Sequence, residues 1–239
     1  MKIGIFSSYG DTDESLMQHF GLREINYARS RIAVFWAFLN AIQKTSIENI
    51  RITDLCRAAE ISEPSFYNYF PRKDDLFLYF ISMWSLDVQL QTKGKKPGMQ
   101  TIQEVFSYTA EKSSRFRNLL PEIIAYQART DIRERIKEIK PASNAEKMLI
   151  FGRVEGLEQL PAQGLGPILE ANINAALAQG ELNPEIDSSV YTLMLASFFF
   201  GIPVLARQYP PGNLSKFFSM ALNAMLIGFK GKKEKIKRS

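Results

Sequence analysis

The chain has one cysteine and one histidine in 239 residues, Cys56 and His19. A single cysteine excludes an intramolecular disulfide and suits a reducing, cytoplasmic compartment. One thiol and one imidazole make neither an ordinary zinc site nor a nucleophilic Cys–His pair. Cys56 itself falls on the inward side of an expected helix and reads as a small buried side chain. The G-x-S-x-G elbow, the P-loop, G-x-G-x-x-G and H-E-x-x-H are all missing. Gly164-Leu165-Gly166-Pro167 is a loop, and the paired acids Asp74–Asp75 and Glu155–Glu158 read as solvated helix faces. Neither an enzyme, a cofactor nor a metal is expected.

Charge is scarce once the C-terminus is set aside. The formal net charge is +5, and residues 230–239 hold six basic groups and one acid, which is also +5. The remainder is therefore formally neutral, so total charge says little about nucleic acid, and placement of charge has to decide. No alternating pattern lasts long enough for a sheet. The start MKIGIFSSYG, with one lysine and a very short apolar run, does not read as a signal peptide. Residues 188–206 are a run of 19 without a charge, within reach of a membrane span. Ser188, Ser189, Thr192, Ser197 and Pro203 inside it favour a helix buried all round, at a core or a subunit interface, and no membrane is expected.

What the chain does have is the stretch Ile52 to Leu76, ITDLCRAAEISEPSFYNYFPRKDDL. Ile52, Leu55, Cys56 and Ala59 fall at i, i+3, i+4 and i+7, one face of a short helix. Glu60, Ile61 and Ser62 break the pattern. Ser62 is a strong N-cap type, and Pro64 sits in the next first turn, where its missing N–H costs nothing. Phe66 and Phe70 then point inward at i, i+4, which leaves Glu63, Pro64, Ser65, Tyr67, Asn68 and Tyr69 outside or flanking. Pro71 ends the piece. Two short helices with a three-residue turn and hydrogen-bonding side chains outward make a helix-turn-helix, whose second helix can enter the major groove.

The run Ala59 to Leu76, A-E-I-S-x-P-S-F-Y-x-Y-F-P-x-K-x-x-L, resembles the signature of TetR-family (tetracycline-repressor-like) transcriptional regulators. The match takes in Tyr67, Tyr69, Phe70, Lys73 and Leu76 and extends upstream through Ile32. Two positions depart from it. Glu60 stands where the family has a turn glycine, at a point expected to be left-handed, at a cost of about 1–2 kcal/mol. Arg51 stands where a Ser or Thr usually caps the first helix of the motif.

Around the motif every segment reads as helix. Residues 22–44 put Ile25, Ala28, Ile32, Phe35 or Trp36, Leu39 and Ile42 inward, with Arg23, Arg29 and Arg31 near the start, where phosphate contact is possible. A long helix over 72–91 turns Leu76, Phe77, Phe80, Met83, Trp84 and Val88 inward. Lys93 to Gly98 is a loop. Further helices are expected at about 99–119, 121–139, 143–159, 166–179, 187–207 and 213–229. In residues 1–22, Asp11 with Glu14 suggests a capping box opening a short helix with Leu16, Met17 and Phe20. The expected organisation is all-α. An extension covers 1–22, a three-helix DNA-binding head 23–73, a helical ligand-binding and dimerisation domain 74–229, and a basic tail 230–239.

The resemblance implies a dimeric regulator, most simply a repressor of a near-palindromic DNA operator, released by a small apolar or amphipathic effector. By the family's pattern Thr53, Ser65, Tyr67, Tyr69 and Lys73, with Arg29 beside them, would hold phosphates. Pro64 would touch a thymine methyl or sugar. Glu63 and Asn68 would meet base edges, glutamate accepting from cytosine N4 and asparagine pairing with adenine. The effector pocket implied by the family would draw on Phe80, Trp84, Phe106, Tyr126 and Phe151. The homodimer would be built from 187–229, through Leu193, Ala196, Phe200, Leu222 and Met225, with small residues such as Gly201 and Gly228 allowing close approach. The competing reading is a helical protein-binding adaptor, or a membrane-associated helical protein, without DNA binding.

Overall fold

The computed structural model describes residues 6, 19–113, 118–131, 134–135, 138–210 and 212–230. The capping box expected at Asp11 and Glu14, Leu16, Met17, and all of the basic tail after Lys230 lie outside the described residues. Among those described, every regular element is a helix. They are α1 (Leu22–Ile42), a 3-10 turn (Ile47–Asn49), α2 (Ile52–Ala58), α3 (Glu63–Tyr69), α4 (Asp75–Gln91) and α5 (Met99–Ser113). Then come α6 (Leu119–Arg129), α7 (Asn144–Phe151), a second 3-10 turn (Leu157–Gln159), α8 (Leu165–Ala178), α9 (Ser188–Ala206) and α10 (Asn213–Lys230). Several are shorter than their apolar pattern suggests. The helix expected over 143–159 stops at Phe151 because Gly152 takes a φ of 80°, outside the helical region. Pro121 does not break α6. It lies in the first turn, where its missing N–H has no partner to lose.

The helices form two compact units, residues 1–91 with 116–162, and residues 92–115 with 163–239. The first holds α1 to α4, α6 and α7. The helix-turn-helix pair is not a unit by itself, because its core continues into these later helices. Phe35, Phe38, Leu55, Phe66, Phe70, Phe77, Tyr126 and Phe151 are buried in one cluster. At the Phe35-or-Trp36 ambiguity it is Phe35 that is fully buried and Trp36 only partly. Phe6 lays its ring against Phe35, Trp36, Phe80 and Phe151, with centroids 5.7 to 6.1 Å apart.

This unit also buries charge. Arg31, read from sequence as a surface arginine, is 1% exposed, and it pairs at 3.3 Å with Glu146, which is 0% exposed. Tyr79 donates to the same carboxylate at 2.7 Å. Burial, then the Glu146 charge, hold the Tyr79 phenol well above its ordinary pKa, so it stays a donor. Asp75 is likewise buried rather than solvated. It accepts from the Arg72 N–H at 2.8 Å and from Arg135 at 2.7 Å, capping the start of α4. Lys147 directs its ammonium to the carbonyls of Leu157, Glu158 and Leu160.

The second unit packs α5, α8, α9 and α10. Tyr191, Leu195, Phe199 and Pro203 recur every four residues and form the buried stripe of α9, while Phe218, Leu222 and Met225 form that of α10. Phe106 meets Phe199 and Phe218 edge-on at 5.2 and 4.9 Å. The start of α5 is capped from α8 and the turn after it. Glu181 accepts from the Met99 N–H at 2.8 Å, and Asn172 accepts from the Gly98 N–H at 3.1 Å.

Candidate nucleic-acid interface

The joint between α2 and α3 fixes how the second helix is presented. Ala59 ends α2, and Glu60 follows with φ 56°, the only non-glycine residue with positive φ among those described. The Ile61 N–H reaches back to the Cys56 carbonyl at 3.0 Å and the Glu60 N–H to Arg57 at 3.4 Å. This is the paired bond set of a Schellman stop, which requires a left-handed residue at this point. The expectation of a left-handed Glu60 holds. Ser62 then caps α3, accepting from the Ser65 N–H at 3.3 Å, with Pro64 in the first turn. Arg51 supplies no side-chain cap to α2. Phe70 closes α3 in an extended conformation (φ −136°, ψ 100°), as the residue before a proline prefers.

Phe66 and Phe70 are buried, so the opposite side of α3 faces out. Glu63, Pro64, Tyr67 and Asn68 are exposed there, together with Thr53 on α2 and Arg29 on α1. Ser65 is half-buried, and its hydroxyl lies 2.9 Å from that of Ser62, so it serves the cap. Tyr69 sets its ring edge-on to Tyr27 of α1 at 4.9 Å. Lys73 is placed differently from a free phosphate-binding lysine. Its ammonium donates to the Ile50 carbonyl at 2.8 Å and the Glu48 carbonyl at 3.4 Å, tying the start of α4 to the turn before α2. One of its three donors remains. Behind the surface, burial and then the Glu63 carboxylate push the Cys56 thiol up, which keeps it protonated and inert.

The other expected sites are rearranged. Phe80, Trp84, Tyr126 and Phe151 belong to the first unit, but Phe106 belongs to the core of the second. Leu222 and Met225, expected to face a partner, are buried inside the second unit, Leu222 at 2% exposure against 69% for Leu193. The α10 stripe reads equally well in either direction by spacing, and the pairing with Phe106 and Phe199 decides it. What faces out is a helical stripe on α9, Val190, Leu193, Ser197, Gly201 and Val204, together with Met220, Ala224 and Ile227 on α10. Thus α9 is not buried all round. Ala196 and Phe200 flank the stripe, and both Gly201 and Gly228 have open space where a Cβ would stand. By length and composition α9 could also cross a membrane.

Residues whose role the sequence reading did not give lie behind α3. Arg31 and Tyr27 of α1 touch its last turn, and residues 140–146 touch them in turn. A signal for the latter was present, since Ser143-Asn144-Ala145-Glu146 is a capping-box pattern, and both of its bonds form in the structure.

Residues 39–80 match the family model described as bacterial regulatory proteins, tetR family. No curated protein matches the chain. Among solved structures it is similar to Thermus thermophilus FadR, a TetR-family transcriptional repressor in complex with lauroyl-CoA. The identity is 21%, over 83% of this chain and 94% of that one, with a TM-score of 0.57. It is similar also to Salmonella enterica GusR, at 17% identity over 84% of this chain and 94% of that one, with a TM-score of 0.57. At such identities these likenesses show the fold, and the motif over 39–80 carries the assignment. Residues 39–80 thus carry the helix-turn-helix described by the tetR family model, and the described residues share the all-helical fold of these TetR-like structures.

Proposed function

We propose that the protein is a cytoplasmic homodimeric repressor that leaves a near-palindromic operator when a small apolar or amphipathic molecule binds, and that it is not an enzyme. The observation that carries this reading is the outer face of α3, where Glu63, Pro64, Tyr67 and Asn68 stand exposed around a helix held rigidly by Ser62, Phe66 and Phe70. Glu63 and Asn68 read base edges and Pro64 a thymine methyl or sugar. Arg29, Thr53, Ser65, Tyr67 and Tyr69 hold phosphates. Lys73 mainly holds the turn before α2 and offers its remaining donor to the backbone. The exposed stripe of α9 and α10 supports the dimer, since contiguous apolar surface of this kind marks an interaction face. Two copies related by a dyad would then present two α3 helices to two half-sites. FadR, bound to an acyl-CoA, supports an effector with an apolar chain, for which Phe80 and Trp84 are the half-buried candidates.

The test is to sequence duplexes retained by the purified protein from a random pool. Retained sequences should share two half-sites with dyad symmetry, with centres about 34–36 Å apart or a multiple of that. Asn68→Ala should relax preference at one position of each half-site by about 1–3 kcal/mol. Retained DNA without dyad symmetry would overturn the dimeric-operator reading.

A further inference from the structure

We propose that residues 140–146 set the position of the last turn of α3, acting through Tyr27 and Arg31 of α1, so that Arg31 and Glu146 are positioning residues for operator recognition. The proposal rests on α3 being the DNA-facing helix.

Two chains of contact run from this segment to α3. In the first, Glu146 is held by its own capping box, its carboxylate accepting from the Ser143 N–H at 2.8 Å and its N–H donating to the Ser143 hydroxyl at 3.2 Å. The same carboxylate accepts from Tyr79 at 2.7 Å and from Arg31 Nη1 at 3.3 Å. Arg31 also donates to the carbonyls of Lys140 and Pro141, at 2.6 and 3.2 Å. Its guanidinium carbon lies 5.1 Å from the centre of the Phe70 ring and 4.7 Å from that of Tyr79. Phe70 is the residue that closes α3. In the second chain, the Lys140 ammonium lies 4.2 Å above the Tyr27 ring, and Tyr27 meets Tyr69 edge-on at 4.9 Å. Tyr69 is the last residue of α3.

The physical logic is that of a buried cation. Arg31 faces one carboxylate, two carbonyls and two rings, and its Nε has no hydrogen-bond partner. Removing the Glu146 charge leaves the guanidinium buried without its counter-charge, so it must shift to find new acceptors. Phe70 and Tyr79 rest against it and would shift with it. Because Phe70 and Tyr69 end the helix that carries Tyr67 and Asn68, displacement there re-aims groups that must meet a base edge within hydrogen-bond tolerance. Phosphate attraction, which tolerates movement, should suffer little.

The experiment uses the full chain and measures affinity for a retained duplex and for a random-sequence duplex of equal length. Measurements are made at a temperature where thermal unfolding shows each variant folded. Glu146→Gln, which keeps the shape but not the charge, should lower the specific-to-random ratio by about tenfold. Lys140→Ala should lower it by about two- to fivefold. Tyr79→Phe, which removes one hydrogen bond to Glu146, should lower it by about two- to threefold. Variants that melt lower while the ratio holds would make the cluster a packing element only and overturn the proposal. If Glu146→Gln does not fold, Tyr79→Phe and Lys140→Ala decide by the same criterion. Failure of the underlying DNA reading is separately visible: the parent protein itself would then prefer no duplex over another.

Discussion

The two compact units handle charge and apolar surface in opposite ways. The first buries Arg31, Asp75, Asp87, Glu146 and Lys147. Among the described residues the second buries no charged side chain, and its buried polar groups are Thr101, Thr109 and Asn172. It exposes Val190, Leu193, Val204, Leu205, Tyr209, Met220 and Ile227 instead, whereas among the described residues of the first the exposed large apolar groups are Leu22 and Tyr67. A buried ion pair adds little net stability, because desolvation offsets the attraction, but it has few satisfactory geometries. An exposed apolar stripe constrains its own fold little and gains from being covered. The first unit thus holds its charged side chains in few geometries, and the second leaves an apolar stripe uncovered.

The largest effects should come from reversing that arrangement. Leu222→Arg puts an unpaired charge into the second unit's core and should cost about 3–5 kcal/mol, read as an early loss of cooperative unfolding in urea. Leu193→Arg, on the exposed stripe, should change the stability of the isolated chain by only about 0.5 kcal/mol but abolish self-association in sedimentation. Equal behaviour of the two variants would break the comparison. Next comes Asp75→Ala, which removes the cap on Arg72 and the buried one of Arg135's two carboxylate partners, leaving it the exposed Glu138. With Asp75 buried and the Arg72 N–H left without its acceptor, a loss of about 1–3 kcal/mol is expected in denaturant titration. A loss below about 0.5 kcal/mol would mean that charge burial in the first unit is incidental.

Smaller effects test the turns. Gly98 has φ 124°, and a Cβ there would meet the Glu181 carboxylate at 2.6 Å. Gly98→Ala should therefore destabilise the second unit by about 1–3 kcal/mol, both by strain and by displacing the cap of α5. Glu60→Gly works in the other direction in the first unit. It relieves a left-handed glutamate but loosens the unfolded chain, for a net gain of up to about 1 kcal/mol. It also removes a like charge beside the helix proposed to face DNA, so affinity should rise with it. Melting of the Glu60→Gly variant below the parent would show that Glu60 makes a compensating contact.

The helix-turn-helix was legible because its determinants are local. Ser62, Pro64 and Pro71 act within one turn of themselves, Phe66 and Phe70 are one helical turn apart, and a Schellman stop needs only one left-handed residue. The helices after Gln91 were legible in outline and less so in length, since the helix expected to run to 139 ends at Arg129 and Gly152 stops α7 before its apolar pattern ends. Polar residues read least well. Arg31 and Asp75 look like surface groups because charge is rarely buried without a partner, and their partners Glu146 and Arg135 lie 115 and 60 residues away. Lys73 follows the same rule, its acceptors being backbone carbonyls that no side-chain pattern reveals.

The amino-acid sequence by itself determined that the regular elements among the described residues are helices, where the helix-turn-helix pair begins and ends, and which side of α3 faces outward. Periodicity, capping and turn chemistry depend on neighbours a few residues apart. Tertiary structure alone decided the rest. Leu222 and Met225 went inward and Leu193 outward because Phe106 and Phe199 occupy one side of α10 and α9. The core of the head extended into α6 and α7, and Arg31 became a buried cation, because Glu146 and the carbonyls of Lys140 and Pro141 are delivered from far along the chain. Which face of an amphipathic helix is covered, and by what, depends on long-range packing that spacing within the helix does not encode.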